Sequence, residues 1–121
     1  MVSENKYNAR KHSCMRGHTH DSRKEANRCD ELHMLQRRGY ISSLDSSVKF
    51  ELVPAQYVEE NGKRKCKERA VNYIADFVYY ENDKMIVEDV KGYRGNTGAY
   101  NLFKLKRKLM LFKYGIEVRE V

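Results

Sequence analysis

The segment VNYIADFVYY at residues 71–80 is β-branched or aromatic almost throughout, and it decides the fold. Apolar residues on both of its faces predict a central strand of a sheet. A tight turn at residues 81–84 leads into MIVEDVK at residues 85–91, which again carries apolar residues on both faces. The two segments therefore predict an antiparallel hairpin at the centre of the protein.

The segments before this hairpin predict a helix and a further strand. Ser22 lies three residues before Glu25, which is the spacing of a helix capping box, and a helical apolar pattern continues to Gly39. Apolar and charged residues alternate over 48–52, a strand pattern that Pro54 stops. Residues 59–65 are polar and charged, and we predict an exposed turn there.

The segments after the hairpin predict a loop at residues 92–98, a helix at about 99–114 ended by Gly115, and a short last strand at 116–121. In that helix an apolar stripe runs along one side, while several cations face elsewhere. The order is helix, three antiparallel strands, helix and strand, an α/β fold with a mixed central sheet flanked by helices. The stripe consists of Leu102, Leu105, Leu109 and Phe112.

The composition indicates a single globular domain with a polyanionic partner. With 121 residues and 40% hydrophobic content the chain has room for one core, and we predict a basic arm at 1–20 and one domain at 21–121. Lys and Arg number 24 against 17 Asp and Glu, a net charge of +7 that favours nucleic acid. No apolar run is long enough for a bilayer and no signal peptide precedes the domain, so we expect a cytoplasmic protein without membrane contact. Three cysteines are a poor framework for disulfides, so free thiols are expected.

The predicted hairpin brings acidic residues together. If its loop is centred between Asn82 and Asp83, Asp76 faces Asp89 across the two strands. Two opposed carboxylates in apolar strands are destabilising unless a partner offsets the repulsion, and Mg²⁺ or Mn²⁺ is the simplest partner for carboxylate oxygens. Lys91 lies two residues beyond Asp89 and shares its face.

Glu25 adds a third carboxylate, on the side of the first helix that should face the sheet. Together these residues predict a site that hydrolyses phosphodiester bonds with one or two metal ions. In it the acids bind metal and the lysine orients the nucleophile or stabilises developing negative charge. The members are Glu25, Asp76, Asp89 and Lys91.

Three alternatives remain open at this site. The acids and the lysine could form a structural ion-pair cluster. Glu25 could be the capping-box acid that reaches back to Ser22. A loop with an odd number of residues would set Glu88 opposite Asp76, although we expect Glu88 to face the helix on the other side of the sheet.

An acid in one strand, an acid-X-Lys triplet in the next and a glutamate on a preceding helix together resemble the PD-(D/E)XK nuclease superfamily. Ala75-Asp76 stands where that motif has Pro-Asp, and residues 89–91 supply the triplet. More closely, the chain is similar to a DUF1064-like family of short phage and prophage proteins, placed in that superfamily and related to Holliday-junction resolvases. The matching segments are residues 6–11, 21–26, 73–77, 87–92 and 114–121.

This resemblance implies a restriction-endonuclease-like core and metal-dependent DNA cleavage, with Glu25, Asp76, Asp89 and Lys91 in the catalytic roles and Mg²⁺ or Mn²⁺ as cofactor. It also implies branched DNA as substrate, a homodimer, and a cytoplasmic location in a bacterial or phage-infected cell. The competing hypothesis is a non-catalytic nucleic-acid-binding module with the same fold, which binds through its positive charge.

Basic residues outside the site are candidates for contact with DNA phosphates. They come from the arm, from the loop after Lys91 and from the second helix, where a solvated face is the alternative. They are Lys6, Arg10, Lys11, Arg94, Lys104, Arg107 and Lys108.

Two Cys/His pairs, Cys14 with His18 and Cys29 with His33, also have a spacing that zinc could use. Solvated histidines in an arm and a buried Cys29 are the commoner outcome.

Overall fold

The structure is a computed structural model that describes residues 12–13, 19–20, 22–92 and 95–121, with side chains for the two longer ranges. Within these ranges the chain forms two helices and eight strands, several of them very short. In chain order they are β1 (His12–Ser13), β2 (Thr19–His20), α1 (Arg23–Arg37), β3 (Ser42–Val53), β4 (Gln56–Glu60), β5 (Lys63–Glu68), β6 (Val71–Glu81), β7 (Lys84–Asp89), α2 (Gly98–Tyr114) and β8 (Arg119–Glu120).

The central sheet has the strand order β3-β6-β7-β8. β3, β6 and β7 pair antiparallel, whereas β8 runs parallel to β7, so the sheet is mixed. This confirms the predicted α/β class with two helices and a mixed sheet. Two small ribbons lie outside this sheet, β1 with β2 in the region predicted as an arm, and β4 with β5. No described helix is long and apolar enough to cross a membrane.

Both hairpins turn through residues with positive φ. In the β6–β7 turn Asn82 and Asp83 have φ of 52° and 63°, as a two-residue turn between twisted strands requires. The pairs run from Glu81↔Lys84 to Phe77↔Glu88, which is the register predicted.

The prediction of an exposed turn over 59–65 was wrong in extent. Only Asn61 and Gly62 turn, with φ of 55° and 75°, and the residues on either side pair as strands β4 and β5. An Asn-Gly pair supports so tight a turn because both residues adopt positive φ at low cost.

The helices cover opposite faces of the sheet. α1 begins after its N-cap Ser22 and buries Ala26, Cys29 and Leu32, the side that its apolar pattern predicted. That side packs against Phe77, Tyr79 and Ile86. α2 begins after Thr97, ends at Gly115 with φ 67°, and packs on the other face. The α2 core contains Leu52, Tyr73, Ala75, Val78, Val87, Phe103, Met110 and Val118.

The side of α2 that packs on the sheet is not its apolar stripe. Phe103 and Met110 are buried, whereas Leu102 and Leu105 are 52% and 54% exposed and Phe112 is 89% exposed. Of the stripe seen in the sequence, Leu109 is partly buried against the core and the other three residues face solvent. The helix has apolar residues on two sides, so periodicity alone did not show which side is buried.

Strand β6 changes face at Asp76. Tyr73 and Ala75 belong to the α2 core, whereas Phe77 and Tyr79 belong to the α1 core. Pairing with β3 continues on either side of this point but omits Ser47, whose φ is 52°. The left-handed residue interrupts the pleat, so the alternation of side chains is reset at Asp76.

The cysteines that the structure describes are not in disulfides, as predicted. Cys29 is buried beneath α1 and Cys66 is exposed on β5, and neither forms a disulfide. Cys14 lies outside the described residues.

We predict that Phe103 contributes far more to stability than Phe112. Phe103→Ala should lower the free energy of unfolding by about 3–5 kcal/mol, because its ring lies against Tyr73 and Tyr100 in the core. Phe112→Ala is the matched control and should change it by less than about 0.5 kcal/mol. Urea unfolding followed by circular dichroism measures both, and equal losses would contradict the packing described.

Candidate active site

Glu25 and Asp76 meet between α1 and the sheet. The Ser22 hydroxyl accepts a hydrogen bond from the Glu25 N–H at 3.0 Å, which fixes the first turn of α1. The carboxyl group of Glu25 forms a hydrogen bond with that of Asp76. The Ser22 half of the capping box is therefore formed, and the Glu25 side chain contacts the acid on β6.

Asp76 and Asp89 lie one residue beyond Phe77↔Glu88, the pair at which the β6–β7 ladder ends. In place of a further backbone pair, Asp76 Oδ2 accepts a hydrogen bond from the Val90 N–H at 2.7 Å. The side chain of Asp76 thus ties β6 to the end of β7 and lies close enough to Asp89 for their charges to interact.

Asp89 is buried on the α2 side of the sheet. Its Oδ2 accepts a hydrogen bond from the Tyr73 hydroxyl at 2.7 Å, and its Oδ1 lies 2.8 Å from Lys91 Nζ. The Lys91 ammonium also sits 3.8 Å from the centroid of the Phe103 ring. Lys91 therefore shares a face with Asp89, as predicted.

The backbone around Lys91 is held from two sides. Its N–H donates to Val121 O at 2.9 Å, and Val121 N–H donates to Asp89 O at 3.0 Å. Lys24, on the first turn of α1, donates to Lys91 O at 2.6 Å. The start of α1 and the end of the chain therefore position the end of β7, where Asp89 and Lys91 lie.

The site is crowded with negative charge. Burial, the hydrogen bond to Glu25 and the nearby Asp89 raise the pKa of Asp76 to about 8, although the Val90 N–H acts in the opposite direction. Burial and the hydrogen bond to Asp89 also raise the pKa of the Tyr73 hydroxyl, so Tyr73 is a neutral donor. At neutral pH the Asp76 carboxyl group is therefore protonated.

Glu88 lies on the other face of the sheet from Asp89, as expected. Arg28 donates from Nε to Oε1 at 2.9 Å and from Nη2 to Oε2 at 2.7 Å, and the Tyr79 hydroxyl also donates to Glu88. Burial and this hydrogen bond raise the pKa of Tyr79 to about 12. Arg28 was not among the residues predicted from the sequence, although it lies one turn after Glu25 on α1 and that spacing places the two on one side of the helix.

The donor chemistry matches a hard divalent cation, but the carboxylates are not grouped as ligands. Carboxyl oxygens are the ligands that Mg²⁺ and Mn²⁺ prefer. Burial and the acidic neighbours raise the pKa of Asp76, and a bound cation would offset the charge of those neighbours. Within residues 22–92 and 95–121 no three His, Cys, Asp or Glu side chains are close enough to ligate an ion as they stand. Of the two Cys/His pairs considered for zinc, Cys14 and His18 lie outside the described residues.

A pocket of about 260 Å³ opens beside Asp89 and Lys91. Ile74 and Leu102 form part of its wall, and Lys106 also lines it. Lys106 was not predicted from the sequence as a site residue, because only the packing of α2 on the sheet turns this lysine towards the site.

The other predicted phosphate contacts are dispersed. Arg107 Nη1 pairs with Glu120 Oε2 at 2.9 Å, and Lys104 lies 5.4 Å from the centre of the Tyr100 ring. Lys108 is exposed on the outer side of α2. The remaining candidates, Lys6, Arg10, Lys11 and Arg94, lie outside the described residues.

Residues 4–120 match a family described as a protein of unknown function, DUF1064. The chain belongs to the DUF1064 family. No curated protein and no solved structure matches the chain. For this DUF1064 protein, the predicted link to PD-(D/E)XK nucleases therefore stays a prediction, and its function must be argued from the site.

Asp76→Asn should stabilise the protein at alkaline pH. The folded-state pKa of Asp76 lies above its ordinary value of 3.8, so the folded state binds this proton more tightly. In the wild type, the stabilisation that comes from this proton is complete below about pH 4 and is lost as the pH rises towards 8. Asparagine keeps a carbonyl oxygen for Val90 N–H and an N–H group for Glu25, so in EDTA the Tm gain over wild type should be larger near pH 9 than near pH 5.5.

Asp89→Asn is the comparison, and we expect the opposite sign. Loss of the carboxylate leaves Lys91 without its ion-pair partner and should lower the free energy of unfolding by about 1–3 kcal/mol. A Tm gain from Asp76→Asn that does not change with pH would contradict the raised pKa of Asp76.

Arg28→Ala should destabilise the protein by about 3 kcal/mol, because it leaves the buried Glu88 carboxylate without a counter-ion. Glu31→Gln removes the other partner of Arg28, which is exposed, and should change stability by less than about 0.5 kcal/mol. Urea unfolding of both variants tests whether Arg28 acts through Glu88.

Proposed function

We propose that this DUF1064 protein is a divalent-metal-dependent DNA endonuclease that hydrolyses phosphodiester bonds. The observation that carries the proposal is the contact between the Glu25 and Asp76 carboxyl groups beside the Asp89–Lys91 pair. Asp76 on β6 is hydrogen-bonded to Glu25 on α1 and lies close enough to Asp89 on β7 for their charges to interact, at the open end of the central hairpin. Once all three acids are ionised they repel one another, and a divalent cation would offset that repulsion.

In this proposal Glu25, Asp76 and Asp89 hold one or two Mg²⁺ or Mn²⁺ ions. When bound, such an ion polarises a phosphate and lowers the pKa of bound water. Asp76 would have to lose its proton to hold such an ion, since metal ligands are deprotonated. Asp89 would have to give up its contact with Tyr73 or with Lys91.

The proposed role of Lys91 is to place positive charge beside the reacting phosphate. Its backbone is held by Val121 and Lys24, and its ammonium lies over the Phe103 ring next to Asp89. The pocket with Ile74, Leu102 and Lys106 is next to this position and is the proposed entry for the nucleic acid strand. The net charge of +7 favours a polyanionic substrate.

One observation favours the second candidate, a non-catalytic nucleic-acid-binding module. Both oxygens of Asp89 are engaged, by Tyr73 and by Lys91, in an arrangement that is complete without an ion. Such a module would bind DNA with strong salt dependence and cleave nothing.

We expect cleavage of supercoiled plasmid or of a synthetic four-way junction with Mg²⁺ or Mn²⁺ and none with EDTA. Asp76→Asn, Asp89→Asn and Lys91→Ala should each lower the rate about a hundredfold or more, since the lost stabilisation of the transition state is several kcal/mol. Glu117→Gln is the matched control, because this exposed acid lies at the opposite end of β8 from the site. The assay with the four-way junction tests whether the substrate is branched DNA, which only the family resemblance favours.

Mn²⁺ binding gives an independent measurement. Mn²⁺ should raise the Tm of the wild type, and Asp76→Asn should remove that rise while DNA binding in EDTA persists. Binding without cleavage in any metal, together with a Tm that Mn²⁺ does not change, would favour the module over the enzyme.

A further inference from the structure

The outer side of α2 carries a solvent-facing apolar seam. Leu102, Leu105, Leu109 and Phe112 are spaced three and four residues apart, which is the a/d pattern of a coiled coil. Three of them are at least half exposed, and Phe112 is 89% exposed. Leu109 is partly buried and packs against the α2 core. That core is filled mainly by Phe103 and Met110 from another side of the helix, so folding of the chain leaves the other three seam residues largely exposed.

The width of the seam indicates what covers it. A helix that packs on a sheet or lies in a membrane surface presents a broad apolar face, whereas a strict a/d stripe is the narrow contact surface of one helix with another. α2 is fixed to the sheet through its other side and cannot widen this surface by rotating. The occupant that matches the seam is a single helix with its own a/d stripe.

The residues beside the seam indicate which charge the partner helix carries. Positions e and g, which border the a/d residues, hold Lys106, Lys108 and Lys113. α2 contains five cations and no acidic residue. Arg107, on the core side, pairs with Glu120, and Lys113 donates to the backbone oxygen of Glu51 but keeps its charge without a carboxylate partner among the described residues. A second copy of this chain would bring the same basic flanks together, whereas acidic flanks would make each of these contacts attractive.

We propose that α2 is a docking surface for an amphipathic helix of another protein, with apolar a and d residues and glutamate or aspartate at e and g. The apolar seam supplies the contact area that binding would bury, and the lysines favour a partner with acidic flanks. Leu102 and Lys106 also line the pocket of the candidate active site, so the variants that test the docking surface are made at Leu105 and Phe112, which lie outside that pocket.

The test uses labelled four-heptad peptides with the full-length chain, measured by fluorescence anisotropy. The probe has Leu at a and d and Glu at e and g; one comparison peptide has Lys at e and g, and another keeps Glu but has Ser at a and d. We expect binding of the first peptide only, weakened at high NaCl concentration.

Variants then locate the contact on α2. Leu105→Ser and Phe112→Ser should each weaken binding about tenfold. Tyr40→Ser is the matched control, because Tyr40 is a comparably exposed aromatic on a different part of the protein. The Lys108→Glu/Lys113→Glu double variant should transfer the preference to the Lys peptide. Circular dichroism confirms that each variant is folded.

Three results would overturn the proposal. One is equal binding of the Glu and Lys peptides, or none. Another is a dimer in sedimentation velocity that Leu105→Ser dissociates, which would identify a second copy as the occupant. The last is co-sedimentation with phosphatidylserine vesicles that both Ser variants lose, which would identify a lipid surface.

Discussion

The change of face at Asp76 is the constraint on which the rest of the site depends. In a regular strand Asp76 would point to one side of the sheet only, whereas Glu25 reaches it from the α1 side and Asp89 lies on the α2 side. Resetting the pleat opposite Ser47 puts the carboxyl group of Asp76 between them. The same reset lets one strand fill both cores, with Tyr73 below α2 and Tyr79 below α1.

Two buried acids on consecutive residues of β7 have different environments. Glu88 is held by the planar guanidinium of Arg28 in a two-point contact and is fully neutralised. Asp89 meets a single lysine and a neutral hydroxyl, and its neighbour Asp76 holds a proton instead of a cation. The first acid ties α1 to the sheet, whereas the second belongs to a group that is short of positive charge. This difference is the physical basis for placing chemistry at Asp89 and not at Glu88.

α2 combines two surfaces that the fold keeps apart. Its buried side holds Phe103 against Lys91 and so forms one wall of the site, while its outer side carries apolar residues that no described part of the chain covers. The beginning of the helix also lines the pocket at the site through Ala99 and Leu102. A partner on the outer side would therefore lie close to the pocket through which we propose that nucleic acid enters.

The sequence by itself determined the elements and the central register. Ser22 and Gly115 marked helix ends because caps are local, and the polar residues between two apolar runs fixed the β6–β7 turn and with it the pairing from Glu81↔Lys84 to Phe77↔Glu88. The tertiary structure decided what depends on contacts distant in sequence. These include the reset at Ser47, the Arg28–Glu88 pair, the hydrogen bond from Tyr73, and which side of α2 is buried. Periodicity identifies an apolar side of a helix but not the element that covers it, because burial is a property of the packed elements together.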